Sequence, residues 1–335
     1  MKSIRAKLMI SFGLIVGTIC VGLGIILFIS FSYSLKSNLE KTLPEIANQA
    51  AGNIQRKIEG DLNTLESIAA RPDINNPKIP WENKLPILVE EAKRVGSIRI
   101  GIINKDGDSN NTEGKSANSK DADYFKKALS GKSNVSDPMI SKIDGNLIVV
   151  YAVPLKYNNE IVGVLVETLD GNILSEFTDQ VEFGKTGSAF MINKNGATIA
   201  HKNRDMVVQK DNVIEAAKNN LELKSLADVQ KRMSDGETGI GEFSYGGSEE
   251  YLGYAPVQGT DWSIGVVLER NEILSELDNV KILVILFSIA FLGIGLGIIY
   301  IISNSLSKGI KSTAKHLELL AGGLLNDKSS NSGIS

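Results

Sequence analysis

The sequence predicts an α+β protein: one long N-terminal helix that acts as a spine for two tandem modules of antiparallel sheet, flanked by two transmembrane helices. Three observations carry this. Two charge-free apolar runs lie towards the ends of the 335-residue chain. A stripe of apolar residues at helical spacing follows the first run, and two blocks of β-branched, turn-punctuated segments fill the space before the second.

The apolar runs are residues 8–31 (LMISFGLIVGTICVGLGIILFISF) and 282–303 (ILVILFSIAFLGIGLGIIYIIS). Each is long enough to cross a hydrocarbon core of ~30 Å as a helix. The first exceeds the apolar stretch of a signal peptide, and FISFSYSLKS offers no small-x-small cleavage site, so an uncleaved anchor is expected. Lys2, Arg5 and Lys7 precede it, and Lys308, Lys311 and Lys315 follow the second run. Positive flanks stay inside, which places residues 1–7 and 304–335 in the cytoplasm and residues 32–280 outside, in a two-pass protein. Gly13/Gly17 and Gly293/Gly297 have the spacing that lets membrane helices approach closely, and with the striped helix they predict a homodimer.

Cys20, the single cysteine, sits inside the first run, so the outer domain holds no disulfide and depends on its own core. At about 250 residues it is large enough to do so. The net charge of −3 is mild and points to no nucleic-acid partner.

The spine covers residues 35–70. Leu35, Leu39, Leu43, Ile46, Ala50, Ile54, Ile58, Leu62, Leu65 and Ile68 recur in steps of three and four until Arg71-Pro72 ends the pattern, and Pro44 marks a site for a kink. The membrane-distal module is expected over residues 71–169. SIRIGIIN alternates into a turn at Asp106-Gly107, a short helix covers 124–129, and NLIVVYAVPLK and EIVGVLVETLD form a hairpin across Asn158-Asn159. The membrane-proximal module is expected over 170–278. It begins with a hairpin turning at Asn195-Gly196, continues with helical periodicity over 213–233, and ends in three strands joined at Gly246-Gly247 and Gly259.

These pieces carry a resemblance. DADYFKKALSGKSNVSDPMISKIDG, VVYAVPL and GVLVETLDG in the first module, with VEFGKTGSAFMINKNGATIAH and YLGYAPVQGTDWSIGV in the second, resemble the double Cache (dCache) ectodomain of bacterial methyl-accepting chemotaxis proteins. The resemblance covers nearly all of the outer domain and implies two PAS-like modules. SNSLSKGIKSTAKHLELLAGGLLND is similar to the first helix of a HAMP linker, with Gly309 where that family usually carries proline. The implied location is the bacterial cell membrane.

Chemistry is hard to find. GKS or GKT occurs at Gly114, Gly131 and Gly184, but Ser109, Lys126 and Asp179 stand where a phosphate loop needs its first glycine. Asn104, Asp106 and Asp108 imitate the start of a calcium loop without its glycine or its final glutamate, and His201 has no second ligand nearby. No catalytic residue, metal site or cofactor is expected, and the protein reads as no enzyme.

What remains is a ligand pocket. In amino-acid-binding members of the resembled family, an arginine and two aromatics on the short helix, a tyrosine and an aspartate on the following strand, and a further aspartate hold the ligand. The matching positions here are Ala122, Tyr124 and Phe125, then Met139 and Ser141, then Thr168. The two aromatics of the helix persist as types; the strand tyrosine and the charges do not. Each missing charged hydrogen bond would contribute roughly 1.5–3 kcal/mol, so ordinary amino acids are expected to bind poorly. Strand alternation puts Ser97, Arg99 and Gly101 on one face, where Arg99 either meets an anion from the opposite wall or stands as a solvated surface arginine; failing an anion, Tyr124, Phe125, Tyr151, Met139 and Ser141 suggest a neutral or aromatic ligand stacked on rings and fixed by hydroxyls. Tyr124, Phe125, Met139, Ser141, Tyr151, Thr168 and Arg99 form the candidate site.

The expectation is a transmembrane receptor that binds a small extracellular ligand and shifts its second span. The rival readings are an outer face that docks a protein such as a solute-binding protein, and the sensor part of a histidine kinase or cyclase. About 30 residues follow the second span, so a cytoplasmic signalling partner is expected only if a further output module belongs to the full protein.

Overall fold

A computed structural model describes residues 4–330, with side chains described from residue 10 onward except at 274, 276–280 and a set of positions after 305. It divides into a compact unit, Ser37–Ile273, and a second unit made of the chain's two ends.

The end unit holds the first part of α1 (Ile4–Ala69) and most of α9 (Arg270–Ser330). Both contain a stretch long and apolar enough to cross a membrane. The two helices meet through glycine. A methyl group on Gly13 would stand 3.3 Å from Leu296, one on Gly24 3.0 Å from Val284, and one on Gly295 3.2 Å from Val16. Gly13 and Gly17, read from sequence as a contact between chains, therefore face Leu296 and Leu292 of their own chain, whereas Gly293 and Gly297 face open space. Of the charges that set the expected orientation, Lys2, Arg5, Lys7, Lys311 and Lys315 lie outside the described side chains.

In the compact unit, α1 is followed by α2 (Pro72–Asn75), α3 (Trp81–Val95), β1 (Arg99–Ile103), β2 (Ser109–Asn111), α4 (Asp123–Leu129), β3 (Asn134–Val135), β4 (Met139–Ile140), β5 (Leu147–Tyr157) and β6 (Glu160–Asp170). These strands make an antiparallel sheet in the order β2-β1-β6-β5-β3, with β4 also paired to β5. There follow α5 (Ile173–Asp179), β7 (Ser188–Asn193), β8 (Thr198–Ala200), α6 (Asp205–Val208), α7 (Val213–Ala216), α8 (Lys224–Ser234), β9 (Gly239–Tyr245), β10 (Ser248–Val257) and β11 (Trp262–Glu269). The second sheet runs β8-β7-β11-β10-β9.

The apolar stripe of α1 is the seam of the core. Leu39, Leu43, Ala47, Ala50, Ile54, Ile58, Leu65 and Ile68 are buried in one cluster with Val149, Tyr151 and Leu165 of the first sheet and Ala255, Ile264 and Val266 of the second. One-sided burial of this kind is what a 3.6-residue period encodes. The helix continues through Pro44 without a break. The other face of the first sheet buries Ile103, Ile148, Val150, Val164 and Val166 under Phe125 and Ala128 of α4.

Two elements differ from the sequence reading. α3 falls in a stretch read as leading directly into strands, because Pro80 and Pro86 interrupt its pattern; it buries Leu88 and Ala92 and ends at Gly96, which takes the left-handed φ of 77°. The helix expected over 213–233 is broken after α7, where Asn220 restarts the chain by accepting the Glu222 amide on its side chain. The Asn158-Asn159 hairpin is as expected, with φ of 50° and 65° at its two central residues.

Candidate functional site

The site lies on the α4 side of the first sheet, and strand parity decides what reaches it. Arg99 pairs with Thr168 across β1 and β6, and Thr168 pairs with Val150 across β6 and β5. These three side chains share one face with Gly101, Ile103, Ile148 and Val166. With Met139 and Ser141 from the β4 segment, Tyr124 and Ala122 from α4, and Ser109, Asn111 and Ser119 beyond β1, they enclose a cavity of about 110 Å³.

Five of the seven expected residues meet there: Arg99, Tyr124, Met139, Ser141 and Thr168. Phe125 and Tyr151 do not. Phe125 points into the packing beneath α4. Tyr151 is one residue past Val150 and so faces the other way, 0% exposed in the core shared with α1. Burial and the charges of Asp61 and Glu167 push its hydroxyl well above the ordinary tyrosine value.

Arg99 is the polar centre of the cavity. It is 3% exposed, which rules out a solvated surface arginine. Its Nη1 donates to Glu113 Oε2 at 2.8 Å and to Asp144 Oδ2 at 2.9 Å, and its Nη2 donates to Ser141 Oγ at 3.1 Å. Arg99, with help from the Ser141 hydroxyl and the Asn146 amide, holds the Asp144 carboxyl far below the usual carboxylate range. Elsewhere on the rim, Tyr124 Oη donates to Ser119 Oγ at 3.1 Å, and Asn111 Nδ2 donates to the Lys115 carbonyl at 2.6 Å. Thr168 is buried and its hydroxyl makes no protein hydrogen bond among the described residues. The cavity therefore offers a buried cation already matched by acids (Arg99), an exposed one (Lys142), a few hydroxyls and an aliphatic wall, a combination suited to holding a small polar molecule.

Glu113 and Asp144 were not singled out in the sequence. Each sits in an ordinary Gly-flanked turn, Glu113-Gly114 and Asp144-Gly145, where an acid is unremarkable. The other motifs resolve locally. Asn104 Oδ1 accepts the amides of Asp106 and Asp108, at 3.0 and 2.9 Å, which is a side-chain-capped turn. His201 Nδ1 accepts the Asn203 amide at 2.9 Å, and burial lowers its proton affinity. Gly114, Gly131 and Gly184 all take positive φ.

Two antiparallel sheets lie along one helical spine, with a small, partly open pocket on the α4 face of the first. The chain belongs to the Cache domain family, whose model matches residues 31–277. Curated relatives include the methyl-accepting chemotaxis protein PscA of Pseudomonas syringae, 24% identical over 71% of this chain and 37% of its own length. TlpA of Bacillus subtilis, also a methyl-accepting chemotaxis protein, is 23% identical over 97% of this chain and 48% of its own. The chain thus spans about half or less of these relatives. Among solved structures, the ligand-binding domain of the Pseudomonas fluorescens chemoreceptor CtaA in complex with L-isoleucine superposes with a TM-score of 0.60, at 19% identity, over 73% of this chain and 98% of that one. That of the Pseudomonas aeruginosa amino-acid chemoreceptor PctB in complex with L-Arg gives 0.56 at 20% identity, over 70% and 97%.

Proposed function

We propose that the chain is the sensing part of a chemotaxis-type membrane receptor, in which a small extracellular molecule binds in the cavity of the first, membrane-distal module and biases the position of α9. The observation that carries this reading is the buried Arg99, set among hydroxyls in a small, partly open pocket on a family scaffold whose chemotaxis relatives match over most of this chain. Ligand binding alters the equilibrium between two states only by its difference in affinity for them, and allosteric couplings are typically ~1–3 kcal/mol. Binding is the whole task; no bond is made or broken.

CtaA and PctB are named with amino acids bound. Here the acids near the cavity, Glu113 and Asp144, are both engaged by Arg99, so the ammonium of a zwitterion would meet no free acid on the wall. Ordinary amino acids are therefore weak ligands of this chain.

The test is a thermal-shift screen of the full chain in detergent against amino acids, organic acids, amines, amides, purines and sugars. A ligand at a hundred times its dissociation constant stabilises the fold by about 2.7 kcal/mol. A saturable hit that disappears when the cavity is filled supports the reading. No hit from any class would turn attention to a docked protein partner, and a strong hit from ordinary amino acids would refute the ligand preference.

A further inference from the structure

Arg99 carries five N–H groups in a fixed plane. Both hydrogens on Nη1 are taken, one by Glu113 and one by Asp144, and one on Nη2 goes to Ser141. Nε–H and the second Nη2–H have no protein partner among the described residues, and Arg99 lines the cavity. One guanidinium thus faces two carboxylates and still offers two donors.

The two carboxylates are held unequally. Asp144 sits in a tight turn closed by the Gly145 amide on the Ser141 carbonyl at 2.9 Å, its Oδ1 accepts the Asn146 amide at 3.2 Å, and its side chain is 16% exposed. It belongs to the wall. Glu113 rides on the segment after β2, its side chain is 33% exposed, and the described partner of its carboxylate is Arg99 alone.

We infer that Glu113 is an internal stand-in for a ligand carboxylate, and that the cavity takes a small monocarboxylate without an ammonium group, which displaces Glu113 from Arg99. The inference rests on the reading of this cavity as the ligand site. Exchange is favoured over addition because a third carboxylate would crowd three negative charges around the one buried guanidinium, the other cation of the lining, Lys142, being exposed. With Glu113 swung out to solvent, the incoming acid restores the same balance and gains the free Nε and Nη2 donors as a two-point contact. The body of the acid then lies against Ile103, Met139, Val150 and Val166, with the Thr168 hydroxyl within the same enclosure. A cavity of about 110 Å³ is smaller than the ~150 Å³ that accommodates benzene, so the fitting acids have about two to five carbons.

The experiment is isothermal titration of the full chain in detergent with acetate, propionate, pyruvate and lactate, beside propionamide and propylamine. Wild type and Glu113→Gln are compared, with Glu113→Ala as a second variant that removes the competing carboxylate in another way. The expected result is saturable binding of at least one monocarboxylate, tightened tenfold or more in both variants, with propionamide and propylamine weaker throughout. Monocarboxylate binding that is unchanged or weakened in both variants would overturn the inference. Binding confined to the amide or amine, and lost when Val150 is enlarged to fill the cavity, would overturn it too while leaving the sensor reading intact. Absence of saturable binding by every probe in all three proteins would overturn the inference, and it would count against the sensor reading only if the wider thermal-shift screen were also blank.

Discussion

Asp137 and Trp262 tie the two sheets together. Trp262 Nε1 donates to Asp137 Oδ1 at 2.7 Å, between residues 125 positions apart in the chain, and Asn193 Nδ2 donates to the other carboxylate oxygen at 2.7 Å. Trp262 opens β11, which runs without interruption into α9, while Met139, two residues after Asp137, lines the cavity. β4 and both donors are thus linked through three residues of chain.

Asp137→Ala removes the acceptor of both bonds and leaves the buried indole N–H of Trp262 unsatisfied. Hydrogen bonds to a charged group contribute about 1.5–3 kcal/mol, and the two share one carboxylate, so a loss of about 2–4 kcal/mol is expected in urea unfolding of the full chain. Asp137→Asn keeps an acceptor for one donor and should lose about half as much. A loss below ~0.5 kcal/mol for the alanine variant would show that the junction is held by packing instead.

Gly253 is where α1 meets β10. A methyl group there would stand 2.5 Å from the Leu43 carbonyl carbon and 2.6 Å from its oxygen, both of them backbone atoms that cannot rotate away. Gly253→Ala should therefore destabilise by about 1–3 kcal/mol through overpacking, where an alanine in open strand would stabilise. Gly96→Ala, which meets no atom within 4 Å but sits at φ 77°, separates conformational strain from this clash.

These contacts show which parts of the fold the sequence made legible. The spine was readable because α1 buries one stripe and exposes the rest, so Leu39, Leu43, Ile54, Ile58 and Leu65 keep a helical period. Arg99 was legible as lying opposite Ile98, Ile100 and Ile102, but that alternation fits a pocket floor and a solvated surface equally, so its burial was not legible. Tyr151 was misplaced because LIVVYAVPL in β5 is buried on both faces, and a strand with no polar face gives no parity signal. Glu113 and Asp144 were invisible for a different reason: they reach Arg99 from loops 14 and 45 positions away, and such pairings leave no periodic trace. Asp137 and Trp262 are the extreme of the same case.

Glu167 gives the protein a pH dependence of unusual sign. It is 5% exposed on the α1 side of the first sheet, where Oε1 accepts from Ser97 Oγ at 2.8 Å. Burial, with a smaller contribution from Asp61, raises its proton affinity above the ordinary glutamate value of 4.5. A raised carboxyl binds its proton more tightly folded than unfolded, so this group stabilises the fold at low pH and loses that stabilisation as pH rises above 4.5 through the folded value. Glu167→Gln keeps an acceptor for Ser97 and cannot ionise. It should be more stable than wild type at pH 8 and nearly equal to it at pH 4 in denaturant titrations, and equal or lower stability at pH 8 would refute the assignment.

Val150 and Tyr151 are neighbours on β5 with opposite duties, and a paired substitution separates them. Val150 lies on the cavity wall with Thr168 beside it in the next strand, so Val150→Phe places a ring in the space of about 110 Å³ proposed for the ligand. Overpacking of this kind costs about 1–3 kcal/mol if the ring is forced into the core, and less if the cavity absorbs it. The expected result is a modest loss of stability and the loss of any ligand-induced thermal shift. Tyr151→Phe does the reverse. Its hydroxyl is buried without a hydrogen-bond partner among the described residues, so its removal relieves a desolvation penalty instead of breaking a bond. Stability should stay level or rise by up to about 1 kcal/mol, and the ligand-induced shift should be unchanged, because the ring faces α1 rather than the cavity. If Tyr151→Phe abolished the shift while Val150→Phe preserved it, the binding face of the sheet would be the one against the helical spine.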